Sequence, residues 1–159
     1  MGMISVFKRK PLWTAAALLT SLWTIPALSQ DAATLTIHID GVAPQGIVRL
    51  GLYDQAAYPD DKSEPVASAD VQAVAGQTIV TLENITPGTY AIQLFQDLNS
   101  NGKMDTGFLG VPKEPYGFSR DAKPILSKPD FNRVKFEVIA GENSQTLHLQ
   151  NTTTMVASN

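Results

Sequence analysis

"QTIVTLENITPGTYAIQLFQ", residues 77–96, holds two runs of alternating apolar and polar residues separated by a turn. Val80 and Leu82 mark one face of the first run, and Tyr90, Ile92 and Leu94 one face of the second. Side chains repeat every second residue only on a strand, so each run reads as a strand with one dry face. Between them, NITPGT (84–89) places Pro, which fixes φ, beside Gly, which accepts positive φ, and so bends the chain.

The same alternation extends in both directions. Leu35, Ile37 and Ile39 point one way in TLTIHID, and Val48, Leu50 and Leu52 in GIVRLGLY. Val134, Phe136 and Val138 mark another strand, Leu147 and Leu149 the last, and a weaker one spans Val66 to Val74. Turn signals recur at DGVAPQG (40–46), AVAGQ (73–77) and AGENSQ (140–145), and no long 3.6-residue period intervenes. Short strands at this spacing predict an all-β fold, an antiparallel sandwich of about seven strands of the prealbumin or immunoglobulin kind. One long loop interrupts it.

The first 29 residues carry Lys8, Arg9 and Lys10, then an apolar run ending in Ala27 and Ser29, the layout of a secretory signal peptide cut before Gln30. The run from Leu12 to Ile25 contains Thr14, Thr20, Ser21 and Thr24. It falls short of the ~20 apolar residues that span a bilayer, so no membrane insertion is expected after cleavage. A single domain is expected over residues 30–150, with the polar segment 151–159 a disordered tail. Periplasmic or secreted localisation follows. Three of the 12 basic residues leave with the signal and none of the 15 acidic ones, so the mature charge is −6, which argues against nucleic acid as a partner. Trp13 and Trp23 leave too, which weakens a carbohydrate reading, and the chain has no cysteine and hence no disulfides. A monomer is expected.

The long loop holds the candidate site, because loops of about 35 residues inside a compact domain are uncommon and often functional. DLNSNGKMD (97–105) offers Asp97, Asn99, Asn101, the Lys103 backbone and Asp105 around Gly102, the order in which a calcium loop presents its oxygens. Position 12 of that loop, normally Glu, is Phe108. Two readings stand side by side. In one, the Asp and Asn side chains bond nearby amides as Asx-turns, with no ion. In the other, calcium stiffens the loop and a carboxylate is recruited from Glu114 or Asp121. Beyond it, TGFLGVPKEPYGFSRDAKP interleaves Phe108, Leu109, Tyr116 and Phe118 with glycines. These rings either fold over the end of the sandwich or form a binding surface for a protein partner or small ligand, with Lys113, Glu114, Arg120 and Asp121 as a polar rim.

Catalytic constellations are absent from the sequence. His38 and His148 fall on outward faces of separate strands, and Ser119 in YGFSR does not fit the G-x-S-x-G elbow of a serine hydrolase. Asp105, Glu114 and Asp121 could pair as the acid and base of a hydrolase or sugar-processing enzyme, but any acidic loop offers such pairs. NIT (84–86) and NTT (151–153) fit glycosylation sequons.

The run PGTYAIQLFQDLNSNGKMD followed by FLGVPKEPYGFS resembles the hallmark of the exported bacterial proteins grouped as domain of unknown function (DUF) family 2141. The resemblance extends from about Thr34 to Gln150. It implies a transthyretin or prealbumin-like β-sandwich in a Gram-negative envelope and no established activity. Members of that family usually carry a His before the Asp of the loop, where this chain has Gln96. The loop also resembles calcium loops in repeat domains of bacterial adhesins, in which an acidic residue stands where this chain has Phe108. The combined expectation is a non-enzymatic binding or structural module acting through residues 97–129, with calcium as an optional stiffener.

Overall fold

The computed structural model describes residues 32–125 and 127–151. The expected signal peptide, and the tail after Asn151, lie outside the described residues. Among the described residues, eight strands form two sheets: β1 (Ala33–Val42), β2 (Ile47–Tyr53), β3 (Ala67–Gln72), β4 (Gly76–Ile85), β5 (Gly88–Asp97), β6 (Tyr116–Phe118), β7 (Phe136–Val138) and β8 (Gly141–His148). One sheet has the order β4-β1-β8; the other runs β3-β2-β5-β6, with β7 paired to β5 off that path. Among the described residues, no helix is long and apolar enough to cross a membrane.

The period-2 residues become the core. Leu35, Ile37 and Ile39 of β1, Val48 and Leu52 of β2, Ile92 of β5 and Leu147 of β8 are fully buried between the sheets. Their alternate neighbours Thr36, His38 and Asp40 stay partly exposed on the outer side of the three-stranded sheet. The all-β sandwich expected from the sequence is the fold observed. One pairing is parallel: β1 and β8 run side by side from Ala33 opposite Gly141 to Asp40 opposite His148. A parallel partner cannot be reached by a tight hairpin. Here the whole five-stranded sheet is traversed between the two strands.

The segment expected to be one strand from Val134 to Val138 splits. Phe131–Val134 forms a single helical turn, α1, and β7 begins at Phe136. Arg133 N donates to the Asp130 carbonyl at 2.9 Å and Lys135 N to the Phe131 carbonyl at 2.8 Å, which closes the turn. The long loop likewise contains a strand, β6, which extends the sheet beside β5.

Hydrophobic cover lies on both faces of the five-stranded sheet. On its outer face a second cluster buries Tyr58, Ala91, Ala122, Phe131 and Val134, with Tyr53 and Phe118 packed against it. Tyr58 stands edge-on to Tyr53 at 6.4 Å and tilts against Phe131 at 5.7 Å, while its hydroxyl donates to the Pro129 carbonyl at 2.9 Å. Burial pushes the Tyr58 phenol well above its ordinary pKa, with Asp61 and Asp130 adding to the shift. Ser119 ties this cluster to the sheet: its Oγ accepts from Ile92 N at 3.0 Å and donates to the Val134 carbonyl at 2.6 Å, all in a fully buried position. Removing that hydroxyl strands two buried backbone groups. Ser119→Ala should therefore lower stability in urea unfolding by about 1–3 kcal/mol. Ser68→Ala, at an exposed strand position, should change it by less than about 0.5 kcal/mol.

Candidate functional site

The sequence-selected loop leaves β5 at Asp97, whose side chain has no exposure to solvent. A buried carboxylate must be surrounded by donors, and this one is. Its Oδ1 accepts from Asn101 N at 3.0 Å; its Oδ2 accepts from Gly102 N at 2.8 Å and from Arg49 Nε at 2.8 Å. Loss of hydration acts to raise the Asp97 pKa. The Arg49 bond and the two backbone donors outweigh it and hold the carboxyl below the usual Asp value. In return the bond to Asp97 raises the pKa of Arg49, whose guanidinium also pairs with Asp70 on β3.

The rest of the loop satisfies itself. Asn99 and Asn101 donate their amides to the two oxygens of Asp105 at 2.7 and 3.0 Å. Asn99 Oδ1 accepts from Asn101 N at 3.1 Å, and Asn101 Oδ1 from Lys103 N at 2.9 Å. Gly102 takes φ +85°, the left-handed turn that the Asx reading requires. Glu114 closes the loop from the other side: it is buried, and its two oxygens accept from Leu98 N at 2.8 Å and Asp105 N at 2.9 Å. The residues do bring Asp97, Asn99, Asn101 and Asp105 together. A guanidinium sits on Asp97 Oδ2, and Phe108 at position 12 is 87% exposed. Among the described residues no three His, Cys, Asp or Glu side chains converge as metal ligands.

The aromatic stretch divides. Phe108 and Leu109 form an exposed tip, and the arm that carries them is zipped by Gly107 N to the Val111 carbonyl at 2.7 Å and Lys113 N to the Asp105 carbonyl at 2.8 Å. Tyr116 and Phe118, by contrast, lie on β6 with ring centroids 6.0 Å apart, edge to face. Of the rim residues proposed from sequence, Glu114 is buried inside the loop instead, since two backbone amides need its carboxylate. Asp121 bonds His148, accepting from its backbone N at 2.8 Å and meeting its Nδ1 at 2.8 Å. His148 Nε2 faces Asp40 at 3.5 Å, so this histidine, read as a bystander, bridges two carboxylates. Asp105, Glu114 and Asp121 are thus each engaged in bonds of their own.

Between the arm and Pro124, Ser127 and Lys128 the outer face of the five-stranded sheet is open, and a cavity of about 780 Å³ lies over it. Its floor is a set of cross-strand neighbours: Ser68 opposite Gly51, Gly51 opposite Gln93, Gln93 opposite Phe118, with Arg49 opposite Phe95 in the next row. Leu109 and Val111 line one wall, Pro124 and Lys128 the other. Gly51 has a specific reason to be glycine: a Cβ there would stand 2.6 Å from the Tyr53 ring, which folds across it. Gly46 has another, since with φ +76° its Cβ would fall 2.1 Å from the Asp97 carbonyl oxygen. Arg49, Gly51, Tyr53, Gln93 and Phe95 were missed as site residues. Their alternation placed them on the solvent side of their strands, and a mid-strand glycine was the one signal of a close approach.

Residues 37–146 match the family described as "Uncharacterized protein conserved in bacteria (DUF2141)", well over half of the chain. The chain belongs to the DUF2141 family. The match takes in every strand from β2 to β7 in full, the polar loop and the floor of the cavity. No curated protein and no solved structure shows a significant match. In this DUF2141 chain the position before the loop Asp is Gln96, fully buried, whose Oε1 accepts from Ala43 N at 3.0 Å. Its Nε2 donates to the carbonyls of Ala43 and Gln45 at 2.8 and 2.7 Å, so it clamps the β1–β2 connection.

The depressed pKa of Asp97 has a defined consequence for acid stability. Its contribution is present above the unfolded value of about 3.9 and is lost as pH falls through the lower folded value. Urea midpoints of the wild type should therefore drop more steeply below about pH 4 than those of Asp97→Asn. At neutral pH the variant should be the less stable protein.

Proposed function

We propose that this DUF2141 protein is an exported, non-enzymatic binding module of the bacterial envelope, and that its ligand site is the cavity on the outer face of the five-stranded sheet. The observation that carries the reading is that cavity itself. At about 780 Å³ it lies within the range of about 300–1,000 Å³ typical of small-molecule sites. The loop that the sequence marked as functional supplies one of its walls, and aromatic rings supply much of its floor. Export is supported by the basic, then apolar, leader that ends in Ala27 and Ser29. The polar loop acts in this reading as a brace that fixes the arm beside the cavity.

Native mass spectrometry of the protein incubated with a cell extract tests the binding role. Wild type should retain a small molecule that Gly51→Leu, which drives the Tyr53 ring into the cavity, releases. Equal retention by both proteins, or none by either, would defeat the reading.

A loop braced by its own amides needs no ion. Thermal unfolding followed by far-ultraviolet circular dichroism should therefore give midpoints in millimolar calcium and in chelator that differ by less than about 1 °C. A rise with calcium concentration that Asp105→Ala abolishes would instead make the loop a metal site.

A further inference from the structure

We propose that the cavity takes an uncharged molecule with a flat ring system and an amide-like edge, read by Gln93 and Tyr53. This rests on the preceding reading of the cavity as a ligand site. The charge pattern points to it first. Three charged residues line the cavity, Arg49, Asp61 and Lys128, and each is paired within the protein. Arg49 pairs with Asp70 and Asp97, and Lys128 pairs with Asp61 while lying 4.9 Å above the Tyr58 ring. Lys128 Nζ also donates to the Tyr58 carbonyl at 2.7 Å. An ionic ligand entering here would give up hydration without gaining an unpaired counter-charge. A neutral one incurs no such loss.

The remaining polar side chains are uncharged. Among the described residues, the Gln93 amide and the hydroxyls of Tyr53, Ser68, Thr106 and Ser127 line the cavity without a hydrogen-bond partner in the protein, and Gln93 is the one amide side chain of the set. Gln93 stands at the centre of the floor, between bare backbone at Gly51 and the Phe118 ring. An amide offers a donor and an acceptor side by side, so its complement is another group that does both, such as a carboxamide, lactam or imide edge.

Shape supplies the rest. Tyr53, Phe95 and Phe118 line the cavity, and two of the three are braced by ring contacts, Tyr53 by Tyr58 and Phe118 by Tyr116. Rings held this way lose little freedom on binding and favour a flat apolar body. Leu109 and Val111 extend the apolar wall along the arm.

Three matched probes test the inference: 2-naphthamide, 2-naphthoate and 2-naphthylmethylammonium, titrated into protein purified after expression of the full chain. Binding is followed through the Gln93 side-chain amide and the Phe95 and Phe118 ring signals in NMR. The neutral amide should bind about tenfold or more tightly than either ion, and Gln93→Leu, which keeps the volume, should weaken it about tenfold. Tyr53→Phe should weaken it less and leave the fold intact. Equal or tighter binding of either ion would overturn the ligand class and leave the cavity standing as a ligand site. Undiminished affinity in Gln93→Leu would overturn the role of its amide. No shift with any probe at millimolar concentration would overturn the class outright, and only a failure of the extract experiment as well would remove the binding role.

Discussion

A carboxylate shut away from water has to be met by donors, and at Asp97 that requirement organises everything built on the outer face of the larger sheet. Its two oxygens draw in Arg49 from the neighbouring strand and the amides of Asn101 and Gly102 from the loop ahead. One side chain thereby joins the end of β5 to β2 and to the turn that follows. Through Arg49 the connection continues to Asp70 at the sheet edge. Glu114 repeats the device where the loop returns, with its oxygens on Leu98 N and Asp105 N. The two buried acids hold both ends of the loop, and the arm from Thr106 to Pro112 projects from a fixed base as a result.

The larger sheet has two faces to cover. The three-stranded sheet takes the inner one, and the side chains of Tyr53, Tyr58, Phe118, Ala122, Phe131 and Val134 take part of the outer one. What they leave open becomes the cavity. Its floor is therefore as rigid as the hydrogen-bonded ladder beneath it, while its walls come from loop segments whose positions depend on the Asp97 and Glu114 bonds. In the ligand class proposed above, selectivity rests on the Gln93 amide, the Tyr53 hydroxyl and the space left above Gly51.

Much of the candidate site was legible in part. One of the two readings of DLNSNGKMD was a turn of interlocking Asx bonds, and the amides of Asn101, Gly102 and Lys103 make such bonds. Glu114 was read as part of a polar rim, because nothing local shows that two backbone amides, 16 and 9 positions earlier in the chain, will need it. Tyr116 and Phe118 were read with Phe108 as one aromatic stretch. Pairing with β5 separates them, since a strand partner fixes which rings face the sheet and leaves the arm tip in solvent.

The sequence by itself determined the strands and their dry faces, because alternation is a local property: Leu35, Ile37, Ile39, Val48, Leu52 and Ile92 are buried as their period requires. It also determined the place of the loop and, through 37–146, the family. Only the tertiary structure decided that β8 runs parallel to β1, that the polar side of β2 and β5 becomes the floor of a cavity, and that Arg49 belongs to Asp97. Those outcomes depend on contacts between residues far apart in the chain, 48 positions for Arg49 and Asp97 and 108 for Ala33 and Gly141, and a period-2 pattern specifies which face is dry without specifying what covers the other one.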